Sequence, residues 1–305
     1  MHISVLLKEV IENLNLKENS VIVDATLGYA GHSSEILKKI KNGKLYAFDQ
    51  DIEAINFSKE KLSRIGKNYE IIKSNFVNLK EELNKRNVTK VDGILFDLGV
   101  SSPQLDEDYR GFSFHKDAIL DMRMNQEQSL SAKEVVNNYS LEELTRIFKE
   151  YGEEKFAYSI AKKIIESRTK KPIETTLELV EIIKTGVPEK YKREHHPARK
   201  VFQAIRIEVN KELEVFEKAL YDALDLIDIN GRICVITFHS LEDKICKRIF
   251  KEKTEIDRNF KNMPIIPDKY LPNYKIVKVI EPSDKELEEN NRSRSSKLRI
   301  IERIK

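Results

Sequence analysis

The chain has 305 residues, 40% hydrophobic and 34% charged, with a formal net charge of +3. That length exceeds one typical domain and supports a substantial core, in one large domain or two smaller ones. No apolar run approaches the ~20 residues of a membrane span, and the N-terminus lacks the charged-then-apolar pattern of a secretion signal. Cys234 and Cys246 are the only cysteines and have neither metal nor redox spacing, so a reducing, cytoplasmic setting is expected.

The first strong element is Val21-Ile-Val-Asp24, an apolar β-branched run that ends in an acid and breaks into Thr26-Leu-Gly-Tyr-Ala-Gly31. A buried parallel strand reads this way where its carboxyl end opens into a ligand crevice. Apolar residues at helical spacing follow in Ser33–Ile40, with serines suited to an N-cap, so Gly28 and Gly31 should occupy a strand–turn–helix corner that lets backbone approach a ligand. Lys44–Asp49 is a further strand ending in an acid. Asp49 falls 21 residues after Gly28, the offset of a carboxylate that accepts both ribose hydroxyls of an adenosine ligand. The corner reads G-x-x-G rather than G-x-G-x-x-G, so the dinucleotide fingerprint is incomplete. Ile94–Asp97 ends the fourth strand and opens Leu98-Gly-Val-Ser-Ser-Pro-Gln104, an acid followed by a glycine and two hydroxyls.

The next clear strand is Arg232–Phe238, preceded by the amphipathic run Glu214–Ile227 with Gly231 as its C-terminal stop. Residues 105–208 therefore read as a mostly helical insertion, with helices predicted at Leu141–Lys149, Phe156–Ser167 and Thr176–Lys184, the last behind a Thr175–Glu178 capping box. This divides the chain into a discontinuous domain, 1–104 and 209–305, and an inserted domain, 105–208. Tyr274–Ile280 and Leu298–Ile304 supply two final strands around a polar loop, 281–291. Charge is uneven: residues 155–208 hold 13 Lys/Arg against 7 Asp/Glu, and residues 290–305 hold 6 against 1. Such blocks suit phosphate-backbone binding, although solvated helix faces give similar counts.

Specific segments then carry a resemblance: His2–Leu7, Asp24–Ser33, Asp97–Leu105, Arg110–Phe114, Leu120–Met124, Tyr151–Phe156, His196–Arg206, Phe238–Asp243 and Asn291–Ser296. In this order they resemble the small-subunit ribosomal RNA methyltransferase H family over nearly the whole chain. The resemblance implies an α/β fold, a Rossmann-like class I sheet that binds S-adenosyl-L-methionine (SAM), completed by a sixth and an antiparallel seventh strand. It implies methylation of N4 of a cytosine in the decoding region of 16S ribosomal RNA, with small-subunit RNA, in a 30S particle, as partner. Monomer and homodimer both remain open.

On that resemblance Ala30, Gly31 and His32 wrap the methionine end of SAM, Asp49 takes the ribose, Phe76 lies on the adenine face, Asp97 sits near the sulfonium as the catalytic residue and Gln104 closes the loop. Asp24 either contacts the SAM amino group or braces the turn. Where the family has Gly, this chain has Ala30. Phe112, Phe114 and Phe238 are candidates for stacking on the target base, and Lys170, Lys171, Lys192, Arg193, Arg292 and Arg294 for RNA phosphates. No metal is expected, since His195-His196 lacks ligand spacing. Two alternatives stay open: a non-catalytic RNA-binding assembly factor that keeps a SAM pocket, and a nicotinamide-dependent oxidoreductase.

Overall fold

The structure is a computed structural model that describes residues 4–100, 108–256, 259–260 and 265–305. It divides into two compact units, one formed by Met1–Gly99 with Leu213–Lys305 and one by Val100–Glu212. The second unit is wider at both ends than the predicted insertion.

The first unit holds a seven-stranded sheet. Its strands are β1 (Val21–Asp24), β2 (Lys44–Asp49), β3 (Tyr69–Lys73), β4 (Val91–Asp97), β5 (Ile227–Thr237), β6 (Tyr274–Ile280) and β7 (Lys297–Arg303), in the order β3-β2-β1-β4-β5-β7-β6. Strands β1 to β5 pair in parallel, and β7 runs antiparallel to both β5 and β6. The near-continuous apolar runs of β1 and β4 follow from burial on both faces. Ile22, Leu95, Cys234 and Ile236 join one apolar cluster with α1 (Leu7–Asn13) and α2 (Gly31–Lys39). Val23, Ile94, Phe96 and Val235 join a second cluster with α4 (Leu79–Lys85) and the long helix Glu212–Leu226. Helix α3 (Ile52–Ser63) follows β2, with Asp51 as its N-cap.

Three expectations are corrected here. The long helix ends at Leu226, not at Gly231. Asn230 (φ 66) and Gly231 instead form a bulge inside β5, where the register against β4 shifts and a Cβ on Gly231 would lie 2.8 Å from the Asp92 carbonyl. The serines after β1 do not cap α2: the helix starts at Gly31, Ala30 is its N-cap, and Ser33 and Ser34 lie within it. The polar segment before β7 contains the short helix Asp284–Glu289.

The second unit is helical: α5 (Ala132–Asn138), α6 (Leu141–Glu150), α7 (Ala157–Arg168), α8 (Thr176–Thr185), α9 (Glu189–Glu194) and α10 (Ala198–Asn210), around a core that includes Phe148, Ile160, Ile183 and Phe202. Thr175 caps α8 in the predicted capping box with Glu178. Helices α11 (Glu212–Leu226), α12 (Ser240–Thr254) and α13 (Asp284–Glu289) complete the count in the described residues.

Several segments that carry the family resemblance prove to be framework in this unit. Gly111 has φ +69, and a Cβ there would lie 2.3 Å from the Ile119 carbonyl. Arg110 is buried and donates to the Arg123 carbonyl at 3.1 Å, while Arg123 pairs with Asp121 at 2.8 Å. Buried Glu154 accepts from the Tyr191 hydroxyl at 2.7 Å.

Candidate active site

The strand order reverses between β1 and β4, and in open α/β sheets ligands bind at the carboxyl ends of the strands flanking such a switch point. Three adjacent strands, β2, β1 and β4, end there in Asp49, Asp24 and Asp97. Asp24 is buried, and its oxygens accept from the Ser33 hydroxyl at 2.6 Å and the Thr26 amide at 3.1 Å. The Thr26 hydroxyl in turn accepts the Asp97 amide at 2.7 Å. Asp24 braces the turn: it ties β1 to α2 and, through Thr26, to β4. Burial raises its carboxyl, with the Ser33 and Thr26 hydrogen bonds opposing.

The turn depends on left-handed backbone. Gly28 has φ +48, and its amide donates to Asp49 Oδ2 at 2.8 Å. Ala30 has φ 55, a conformation that costs an L-residue roughly 1–2 kcal/mol. Its methyl group is fully buried in the cluster with Leu6, Leu27 and Ile36, which offsets part of that cost. Gly31 also meets the N-terminal segment. A Cβ there would lie 1.7 Å from Ser4 Oγ, so a larger residue would have to turn the Ser4 side chain away.

Asp49 is half-buried and also accepts the Asp51 amide at 2.9 Å. Burial pushes its carboxyl up to about 7 against the pull of the Asp51 and Gly28 amides. Phe76 opens a single 3-10 turn, Phe76–Asn78, and sits half-buried with its ring edge-on to Phe96 at 5.7 Å. The side chain of Asn75 accepts the Val77 amide at 2.9 Å and donates to Gln50 at 3.1 Å, which links the ends of β3 and β2.

Asp97 is the electrostatically exposed member of the trio. Its Oδ1 is buried and has no hydrogen-bond partner among the described residues. Its Oδ2 lies 3.4 Å from His32 Nδ1. Burial, reinforced by the negative charges of Asp24 and Glu242, raises the carboxyl well above its ordinary value. A buried carboxylate oxygen without a donor fits a ligand that brings a cation or an N–H group, and both are features of SAM and an amine acceptor. Gln104 and the rest of that loop lie outside the described residues. Glu242 is the contributor sequence reasoning did not assign. It is buried at the start of α12, accepts the Phe238 amide at 2.7 Å and adds negative charge beside Asp97. Its only signal was its place in the Phe238–Asp243 segment.

A parallel sheet of this order with an antiparallel seventh strand, and acids tipping three adjacent strands around a left-handed turn, defines a Rossmann-like SAM-dependent methyltransferase. The chain belongs to the MraW methylase family, whose model matches residues 1–304. It is 55% identical to the ribosomal RNA small subunit methyltransferase H of Exiguobacterium sibiricum, covering 100% of this chain and 98% of that protein. Solved structures with similar folds include an rRNA methylase from Streptococcus thermophilus (12% identity, TM-score 0.45, covering 98% of this chain and 94% of that one). Another is a Streptococcus mutans chain described as a methyltransferase in complex with SAH (14%, 0.45, 99% and 99%).

The remaining candidates are dispersed. Phe112 is buried core, while Phe114 and Phe238 are half-buried. Lys170 and Lys171 follow α7, with Lys171 paired to Glu178 at 2.8 Å. Lys192 and Arg193 lie in the last turn of α9, with Lys192 paired to Glu189. Arg292 and Arg294 are exposed on the turn Asn291–Ser295 of the first unit. No helix among the described residues is long and apolar enough to cross a membrane.

Proposed function

We propose that the protein transfers a methyl group from SAM to the exocyclic N4 of a cytosine in the decoding region of small-subunit ribosomal RNA, acting in the cytoplasm on a 30S particle. The observation that carries this reading is the buried, unpartnered Oδ1 of Asp97 at the switch point of the sheet. The full-length identity to a ribosomal RNA small subunit methyltransferase H supports the substrate class.

When bound, SAM supplies a methyl group made electrophilic by its sulfonium. Asp49 would hold the ribose hydroxyls, Phe76 would lie against the adenine, and the main chain of Ala30, Gly31 and His32 would receive the methionine end. The cytosine N4 lone pair is delocalised into the ring, so the amine is a poor nucleophile unless it is oriented. Asp97 accepts a hydrogen bond from the amine, localising the lone pair, and stabilises the positive charge that develops on N4. Methylation leaves N4 with one proton to lose, and Asp97 is the acceptor. The base must leave its stack to reach the site.

The test is incubation of the purified protein with 30S particles and methyl-labelled SAM, followed by nucleoside mapping. Label in N4-methylcytosine of the small-subunit RNA is expected. An unlabelled RNA, with SAM bound, would return the chain to the class of non-catalytic assembly factors.

A further inference from the structure

The helical unit carries an aromatic stack that runs from its core to its surface. Phe202 is core, and Phe114 stands edge-on to it at 5.7 Å, half-buried. Two exposed imidazoles rest on Phe114: His115 at 4.3 Å, and His196 at 4.5 Å with the rings only 31° from parallel. The imidazoles themselves meet edge-to-face at 5.4 Å. The stack therefore grades from core to solvent and ends in two rings that bury little of their own surface.

Its surroundings are cationic. Residues 189–200 hold Lys190, Lys192, Arg193, Arg199 and Lys200 against Glu189 and Glu194, with Lys192 paired to Glu189. Partial burial lowers the basicity of His196, and the charges that act on it, from His115 and from Lys184 of α8, add to that effect. Lys184 is itself paired with Glu181 at 2.7 Å, and Lys116 and Asp117 follow His115 in the loop. A histidine facing cations is disfavoured as a cation until an anion arrives.

We propose that His115 and His196, carried on Phe114, form a stacking platform for bases of single-stranded RNA, with the neighbouring cations on the phosphates. Stacked aromatic side chains beside a basic stripe are the physical basis of sequence-tolerant single-strand binding, since every base presents a π-face. This inference rests on the reading of an RNA substrate and adds a binding surface on the helical unit to it. Protonation of His196 beside a bound phosphate adds a second expectation, tighter binding as pH falls.

The test is anisotropy titration of the full chain with a short fluorescein-labelled single-stranded RNA of mixed sequence, at about pH 7.5 and about pH 5.5. His115→Ala with His196→Ala is expected to weaken binding about tenfold at the higher pH. His115→Phe with His196→Phe keeps the rings, and should restore affinity there while losing the gain at low pH. SAM affinity and the melting curve report on the fold and should match wild type in both variants. Unchanged RNA affinity in the alanine variant overturns the platform, and so does failure of the phenylalanine variant to restore it. Methyl transfer to 30S particles by the wild type is read separately, so absence of activity with intact RNA binding would sink the functional reading and leave the platform standing.

Discussion

His32 Nδ1 lies 3.4 Å from Asp97 Oδ2, while the other ring nitrogen lies 3.1 Å from the Val5 carbonyl. A carbonyl only accepts, so Nε2 carries the hydrogen of a neutral ring and Nδ1 presents a lone pair to the carboxyl. Burial holds the imidazole down at about 4, so it is neutral at physiological pH. The contact is favourable when a proton sits between the two groups, which agrees with the upward shift of Asp97. A cation entering the site would favour the ionised carboxylate, the form that the proposed reaction needs to accept from an amine.

Asp97→Asn keeps this shape, because an amide can donate to Nδ1, but it cannot take a proton. Methyl transfer should fall on the order of 10²-fold. Single-turnover methylation of 30S particles at saturating SAM, read beside a melting curve, checks this. A variant that turns over like wild type removes Asp97 from catalysis.

The buried acids also set a stability profile. The carboxyls of Asp24, Asp49 and Asp97 are all raised in the folded state. Each contributes stability that is fully present below its unfolded value and lost as pH climbs, for Asp49 through about 7. His32 acts in the opposite sense: its contribution is present above the unfolded value of 6.5 and lost as pH falls through about 4. The ligand-free Asp49→Asn and Asp97→Asn proteins should therefore melt higher than wild type near pH 8, with the gain shrinking near pH 4. Equal offsets at both pH values would show that neither carboxyl is raised.

Sequence made the site legible where chemistry leaves a pattern, and obscured it where packing decides. An acid at the end of each apolar run placed Asp49 and Asp97 because parallel strands buried on both faces admit few polar residues except at their ends. Gly28 answers to φ, while Gly31 also packs against Ser4, a contact between segments that no local pattern reveals. Helix Ala198–Asn210 is not among the predicted helices, although its buried Val201, Phe202, Ile205 and Val209 follow helical spacing within a segment that carries the family likeness. The end of Glu212–Leu226 was misplaced because Asn230-Gly231 signals a helix stop and a β-bulge equally well.

SAM binding should track the ionisation of Asp49. Charge-assisted hydrogen bonds to two hydroxyls are worth about 1.5–3 kcal/mol each, so removing the carboxylate should weaken SAM tenfold or more. Asp49→Asn is the cleaner variant than Asp49→Ala, because the side chain also accepts the Gly28 and Asp51 amides. With the wild-type carboxyl near 7, calorimetric titration should show affinity rising with pH up to about 7 and levelling above it. The asparagine variant should show no such rise. A pH-independent wild type would mean that Asp49 is not the ribose acceptor.

RNA affinity should separate the six candidate cations by their present partners. Lys171 and Lys192 are paired with Glu178 and Glu189, so a phosphate must displace a carboxylate to reach them. Lys170 and Arg193 have no ion pair among the described residues and can meet a phosphate without that exchange. Each phosphate contact to a single strand steepens the dependence of log affinity on log salt by roughly 0.7. Neutralising Lys170 and Arg193 should flatten the slope by about twice that value, and neutralising Lys171 and Lys192 by less. Arg292 and Arg294, exposed on their turn in the other unit, provide a third pair to be measured alone. SAM affinity should not change in any of the three variants. A slope identical to wild type in all of them would assign these residues to solubility and leave the 30S contact to other surfaces.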